Sequence, residues 1–273
     1  MGIDLNTATF LRSEYERGVS FRRTLCIGRQ SLDMTAGQCR SFGLDVNIDD
    51  PYSAAESLFK SLGADSVDSI DNSSYEGANV IHDLNQPFRP TNPKKWSCVF
   101  DGGSLEHVFH FPTAIKSCLE ATAVGGTFIG ITPWSGLAGH GFYQFSPELL
   151  YRIFCEENGF RLERLLCNRN RQWYSIEDPK QVGRRLEFQT KSPLLLYVSA
   201  CKMVETPIFT SPPQQSDYQG LWSTPNQTKS ADNSVFSKLV DMLRPLLPLW
   251  LWDVRRRFWQ RNTRSLLIKR ITL

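Results

Sequence analysis

Trp96-Ser97-Cys98-Val99-Phe100-Asp101-Gly102-Gly103-Ser104-Leu105-Glu106-His107-Val108 decides the fold. Five residues that favour a buried strand run into an acid and two glycines, and a polar turn follows. Downstream, residues 112–123 read as an amphipathic helix, and Val124-Gly125-Gly126-Thr127-Phe128-Ile129-Gly130-Ile131-Thr132-Pro133 turns through two glycines into a second apolar strand. Strand, helix, strand with short links is a parallel unit of an α/β sheet.

The same alternation extends in both directions. Strands are expected at 24–28, 66–71, 79–83, 96–101, 127–132, 160–167 and 194–201. Helices are expected at 51–62, which opens on Pro51 and stops before Gly63, at 112–123, and at 146–158, capped by Ser146 and closed by Gly159. No internal repeat is present. From 205 to 234, prolines at 207, 212, 213 and 225 lie among Ser, Gln, Asn and Thr, a composition that suits a flexible linker.

The chain has 273 residues, 41% hydrophobic and 22% charged, enough for one α/β domain with a large core and an appendage. No apolar run of about 18 residues argues for a membrane span, and the N-terminus has no secretory pattern, so a cytoplasmic protein is expected. The seven cysteines are odd in number and widely spaced, with no Cys-x-x-Cys pair, which suits reduced, buried thiols. Residues 235–273 carry nine basic and two acidic residues, net +7, against net −4 for 1–234. On a wheel from 249 to 267, Trp250, Leu251, Val254, Phe258, Trp259 and Leu266 share one side and Arg256, Arg257 and Arg264 the other. Such a helix suits an anionic membrane surface, each basic residue contributing about 1 kcal/mol, or it docks on the protein or a partner. The acidic body argues against nucleic acid.

In order and spacing, 22–204 resembles the class I S-adenosylmethionine (SAM)-dependent methyltransferases of the small-molecule, type 11-like kind. The resemblance rests on the strand ending Phe100-Asp101-Gly102, the Leu105-Glu106-His107 stretch, and the Gly-Gly turn into the fifth strand. It implies a Rossmann-like seven-stranded sheet, mostly parallel with an antiparallel terminal hairpin; the linker over 205–234 and a basic helical tail over 235–273, read from composition, follow it. It also implies SAM as cofactor and methyl transfer to an oxygen or nitrogen of a small molecule, a sugar or lipid-linked glycan being compatible with the tail. A non-catalytic binding or scaffold protein on the same fold is the alternative. One motif departs. The family usually carries an acid and three glycines after its first strand; here the place reads Thr24-Leu25-Cys26-Ile27-Gly28-Arg29-Gln30-Ser31, with Cys26 where the acid stands.

The resemblance assigns the cofactor site to Gly28 and Arg29, to Asp71 (or Glu76) at the ribose, to His82 and Asp83 near the adenine, and to Asp101, Gly102 and Glu106. The acceptor side falls to His107, His140 and Tyr143. A neutral histidine can take a proton from a hydroxyl, since its unperturbed pKa is about 6.5; equally, His107 can serve as a helix cap. The stretch from Gly136 to Glu148, rich in glycine and aromatics, reads either as a substrate-facing lid or as a packed turn. The four histidines have a spacing that suits no ordinary metal site, so no metal is expected.

Overall fold

The computed structural model describes residues 2–88, 95–183, 185, 186, 190, 192–218 and 268–273. Its elements run α1 (Leu5–Glu16), β1 (Arg23–Ile27), α2 (Ala36–Ser41), α3 (Pro51–Ser61), β2 (Ser66–Asp71), β3 (Val80–Ile81), β4 (Trp96–Asp101), α4 (Phe111–Ala121), β5 (Thr122–Ser135), α5 (Pro147–Ile153), β6 (Phe160–Arg169), β7 (Gln172–Ile176), α6 (Pro179–Val182), β8 (Leu194–Lys202) and β9 (Ile268–Ile271). The strands form one sheet in the order β3-β2-β1-β4-β5-β8-β6-β7-β9. The first five are parallel neighbours, and every pairing from β5·β8 onward is antiparallel.

Burial on both faces explains why the inner strands read as continuous apolar runs. Side chains alternate between two cores as the period of two demands. Leu25, Ile27, Val99 and Phe128 face α4 and α5 together with Ile115, Leu119 and Ile153. Cys26, Cys98, Phe100, Ile129 and Ile131 face the other way, against Phe10 and Leu11 of α1 and Leu58 and Phe59 of α3. All seven cysteines are free, and burial pushes the thiols of Cys26, Cys98 and Cys118 above their ordinary range.

The α/β sheet with parallel strands and an antiparallel end is as expected, but among the described residues it has nine strands where seven are predicted. The two extra strands are β7 and β9. The last two expected strands do pair, β6 with β8, yet β7 and α6 lie between them in the chain. The expected third strand shrinks to two residues, and the helix expected at 146–158 ends at Ile153 and resumes as a single 3-10 turn at Glu156–Asn158.

Two expectations about the C-terminal part change. The linker's first half is packed on the body. Ile208 is 2% exposed, its carbonyl accepts from Lys116 Nζ at 3.1 Å, and Glu205 pairs with Lys95 at 2.6 Å and Lys202 at 3.2 Å. The Phe209 amide donates to Asn158 Oδ1, the Ser216 amide to Glu148, and Asp217 pairs with Arg185. One buried apolar side chain and satisfied backbone donors outweigh the polar composition here. In the tail, Ile268–Ile271 is a strand, hydrogen-bonded along β7 and closing its free edge. The rest of the linker and the amphipathic stretch 249–267 lie outside the described residues. No helix among the described residues is long and apolar enough to cross a membrane.

Candidate functional site

Sheet order reverses between β1 and β4, and in open α/β sheets ligands lie outside the carboxyl ends of the strands at that point. Gly28 ends β1 in the left-handed region, φ +70°, with its amide donating to Ile70 O at 2.7 Å. A Cβ on Gly28 would stand 2.6 Å from Ser104 Oγ, which donates to Ile27 O at 2.7 Å. A Cβ on Gly102, one residue past β4, would run into Gln30 Oε1. The crevice between the two strand ends is therefore a cradle that the two glycines leave free of their own Cβ atoms, and the Gln30 side chain and the Ser104 hydroxyl fill it.

Gln30 is 5% exposed. Its Nε2 donates to Ile27 O at 2.9 Å and Gly28 O at 3.2 Å, while its Oε1 is buried without a hydrogen-bond partner. Arg29 points the other way. It pairs with Glu56 at 3.0 Å, donates to Glu76 O at 2.7 Å and lies 5.2 Å over the Tyr52 ring, whose hydroxyl reaches Glu76 Oε1 at 2.9 Å. The guanidinium thus ties the β1 turn to α3 and the β2–β3 loop.

The strand-two and strand-three residues stand side by side. Asp71 ends β2 half-buried, its Oδ1 accepting from the Asn72 amide at 2.7 Å, and its carbonyl accepts from the His82 amide at 2.8 Å. His82 Nε2 lies 3.1 Å from Gln86 O. Asp83 is exposed and caps its own turn, accepting from the amide and side chain of Asn85, bonds that hold its carboxyl below the ordinary value.

Beyond β4 the chain turns inward. Asp101, 2% exposed, accepts from the amides of Ser104 at 2.8 Å and Leu105 at 3.3 Å. Burial, then the nearby Glu106, raises its pKa above the carboxylate range; burial also raises Glu106. Glu106 is 0% exposed and neither carboxylate oxygen has a hydrogen-bond partner. A cavity of about 20 Å³ lies beneath, bounded by Asp101, Leu105, Phe128, Gly130, Thr132 and Phe145, room for a single water.

The loop after β5 closes over Glu106. Its carbonyl accepts from the amides of Phe142 at 2.8 Å and Tyr143 at 3.2 Å, and Gly141, at φ +74°, passes so close that a Cβ there would sit 2.9 Å from Glu106 Cγ. This docking brings His140 Nε2 to 3.4 Å from Glu106 Oε1 and its ring to 4.9 Å from the His107 ring. Burial, with His140 second, holds the His107 imidazole below its ordinary pKa. Tyr143 donates to Phe109 O at 2.7 Å and its ring lies 6.1 Å from that of Phe111, which makes it part of the loop's anchor.

The sequence-predicted residues therefore fall into three neighbourhoods: Asp71, His82 and Asp83; the Gly28–Asp101–Gly102 crevice; and Glu106, His107 and His140 with Tyr143 behind. Sequence reasoning missed Gln30. A single amide after a glycine carries no signal of where it will fold.

No family model and no curated protein matches the chain. Among solved structures it is similar to TehB from Haemophilus influenzae, at 14% identity and a TM-score of 0.41 over 71% of this chain and 62% of that one. It is also similar to the N-methyltransferase NodS from Bradyrhizobium japonicum in complex with S-adenosyl-L-homocysteine, at 12% identity and 0.37 over 70% and 86%. A third is a SAM-dependent methyltransferase from Aquifex aeolicus, at 13% and 0.38 over 71% and 88%. The match thus spans less than two thirds of the TehB chain.

Proposed function

We propose that this chain is a SAM-dependent methyltransferase acting on an oxygen or nitrogen of a small molecule, with sugars and lipid-linked glycans as the first acceptors to try. One observation carries the reading: the sheet reverses order between two strands that run out into Gly28 and into Asp101-Gly102, with Asp71 at the end of β2 and Asp83 two residues past β3.

The residues present fit the cofactor in chemistry. Asp71 and Asp83 offer carboxylate acceptors of the kind a ribose and an amino-purine require, and two glycines leave the crevice free of Cβ atoms of their own. The orphaned Gln30 Oε1 is an acceptor awaiting a donor. The Gln30 side chain fills the cradle and has to swing out to admit a ligand. Bound there, SAM supplies an electrophilic methyl group. Asp71 and Asp83 would hold its nucleoside, and the Glu106–His107–His140 cluster faces the acceptor and governs its proton. Positioning is the main source of rate in such a displacement.

A second reading, a non-catalytic protein on this fold, is favoured by the same Gln30 and by Arg29, whose guanidinium is spent inside the protein. Titration calorimetry and thermal melting with SAM and S-adenosylhomocysteine decide between them. A ligand at a hundred times its Kd raises stability by about 2.7 kcal/mol. No heat and no shift at millimolar ligand would refute SAM binding and with it the enzyme reading. Residues 235–273 are proposed to contact an anionic membrane surface on the cytoplasmic side; salt-sensitive sedimentation of the full chain with anionic vesicles tests that, and a chain that ignores vesicles refutes it.

A further inference from the structure

Glu106, His107 and His140 present two imidazoles and a carboxylate whose donor atoms all lie within 4.8 Å of one another. From this geometry we infer that they form a binding site for one divalent first-row transition-metal ion, with zinc as the reference ion. Two further observations point to a ligand. The Glu106 carboxylate is fully buried with no hydrogen bond to either oxygen, and His140 Nε2, its ion-pair neighbour at 3.4 Å from Oε1, is also buried without a hydrogen bond. Buried polar atoms are nearly always satisfied, so two facing orphans mark a place where a positive centre belongs.

The chain is built to hold the three donors there. His107 sits beside Glu106 in a 3-10 turn fixed by the Asp101 cap, and His140 arrives on a loop clamped by two amides to Glu106 O. Gly141 allows the loop to come that close. His107 is exposed and His140 half-buried, so the site opens on one side only. Zinc takes nitrogen at about 2.0–2.1 Å and carboxylate oxygen at about 2.0–2.2 Å. Donors on such an ion stand about 3.3 Å apart, so the widest-set pair closes in by at most about 1.5 Å, within the reach of side-chain torsions. Three protein ligands leave the remaining position to an outside oxygen or nitrogen, which is the arrangement of catalytic rather than structural zinc. The ion site stands on its own geometry; its use toward a methyl acceptor rests on the function proposed above.

The test is made on the full chain, stripped with chelator and dialysed against zinc or cobalt(II), with metal content read by mass spectrometry and cobalt by its visible spectrum. One equivalent of metal is expected, with a raised melting temperature. Glu106→Gln, which keeps shape and volume, His107→Ala and His140→Ala are each expected to weaken zinc binding at least tenfold, while His110→Ala does not. Circular dichroism of each variant separates lost ligands from lost fold. Less than a tenth of an equivalent in the wild type, or one equivalent retained in all three variants, overturns the site. Loss of SAM binding with metal binding intact would refute the methyltransferase reading alone.

Discussion

Emptying the cradle with Gln30→Ala measures how strongly the chain shuts its own crevice. In the closed position the side chain makes two neutral hydrogen bonds, to Ile27 O and Gly28 O, each contributing about 1 kcal/mol net. Its buried, unpartnered Oε1 works against closure by about 1 kcal/mol or more, a penalty relieved when the amide swings into water. The closed state is thus favoured by about 1 kcal/mol and by no more than about 2. A ligand that must open it binds weaker by that amount, since its apparent Kd is divided by the open fraction. Gln30→Ala should tighten SAM binding about fivefold, with a ceiling of about thirtyfold. Ile27 O keeps Ser104 Oγ as donor, so the variant should fold normally. Paired calorimetric titrations of wild type and variant provide the assay. Unchanged affinity would show that the crevice is not where the cofactor lies, and weakened affinity that Gln30 holds the ligand; either result refutes the latch.

Arg164→Met should destabilise the protein by about 3 kcal/mol in urea melts, because it strips the hydrogen-bonded cation from Glu14, which is 1% exposed and otherwise held by Ser199 Oγ and by half-exposed Arg17 at 4.0 Å. The double variant with Glu14→Leu should recover much of that loss, and failure to recover would assign the effect to packing. The raised pKa of Asp101 means that the folded chain keeps a proton the unfolded chain has shed, so metal-free wild type should lose stability as pH rises above about 4. Asp101→Asn, whose Oδ1 can still accept from Ser104 and Leu105, should flatten that slope in pH-dependent melts; an unchanged slope would deny the shift. Removing residues 268–273 should lower the melting temperature and promote self-association seen in sedimentation velocity, because it bares the β7 edge, and a monomer of unchanged stability would show that β9 is dispensable.

What the sequence displayed and what it hid divide along one physical line, the distance over which each signal is written. The bounds of β2 and β4 were legible to the residue, since a buried strand ending in an acid is a local pattern. β7 was not. It is five residues long and follows Asn170-Arg171, both at positive φ without a glycine to announce the turn. α1 hid because its buried face carries Thr7 and Glu14; the reason a glutamate belongs inside is Arg164, 150 residues away, which no helical window contains. The site follows the same rule. Asp101, Glu106, His107 and His140 each stood out as polar residues after strands, but 33 residues separate the two histidines, and their spacing said nothing of metal. Their convergence is written in the backbone. The Glu106 carbonyl takes two amides from the loop, and Gly141 has no Cβ to keep that loop away. Any residue with a side chain at 141 would meet Glu106 Cγ in a left-handed conformation it disfavours, and the loop would lift, taking His140 with it. The glycine that read as part of either a lid or a packed turn is therefore the residue that fixes the third donor.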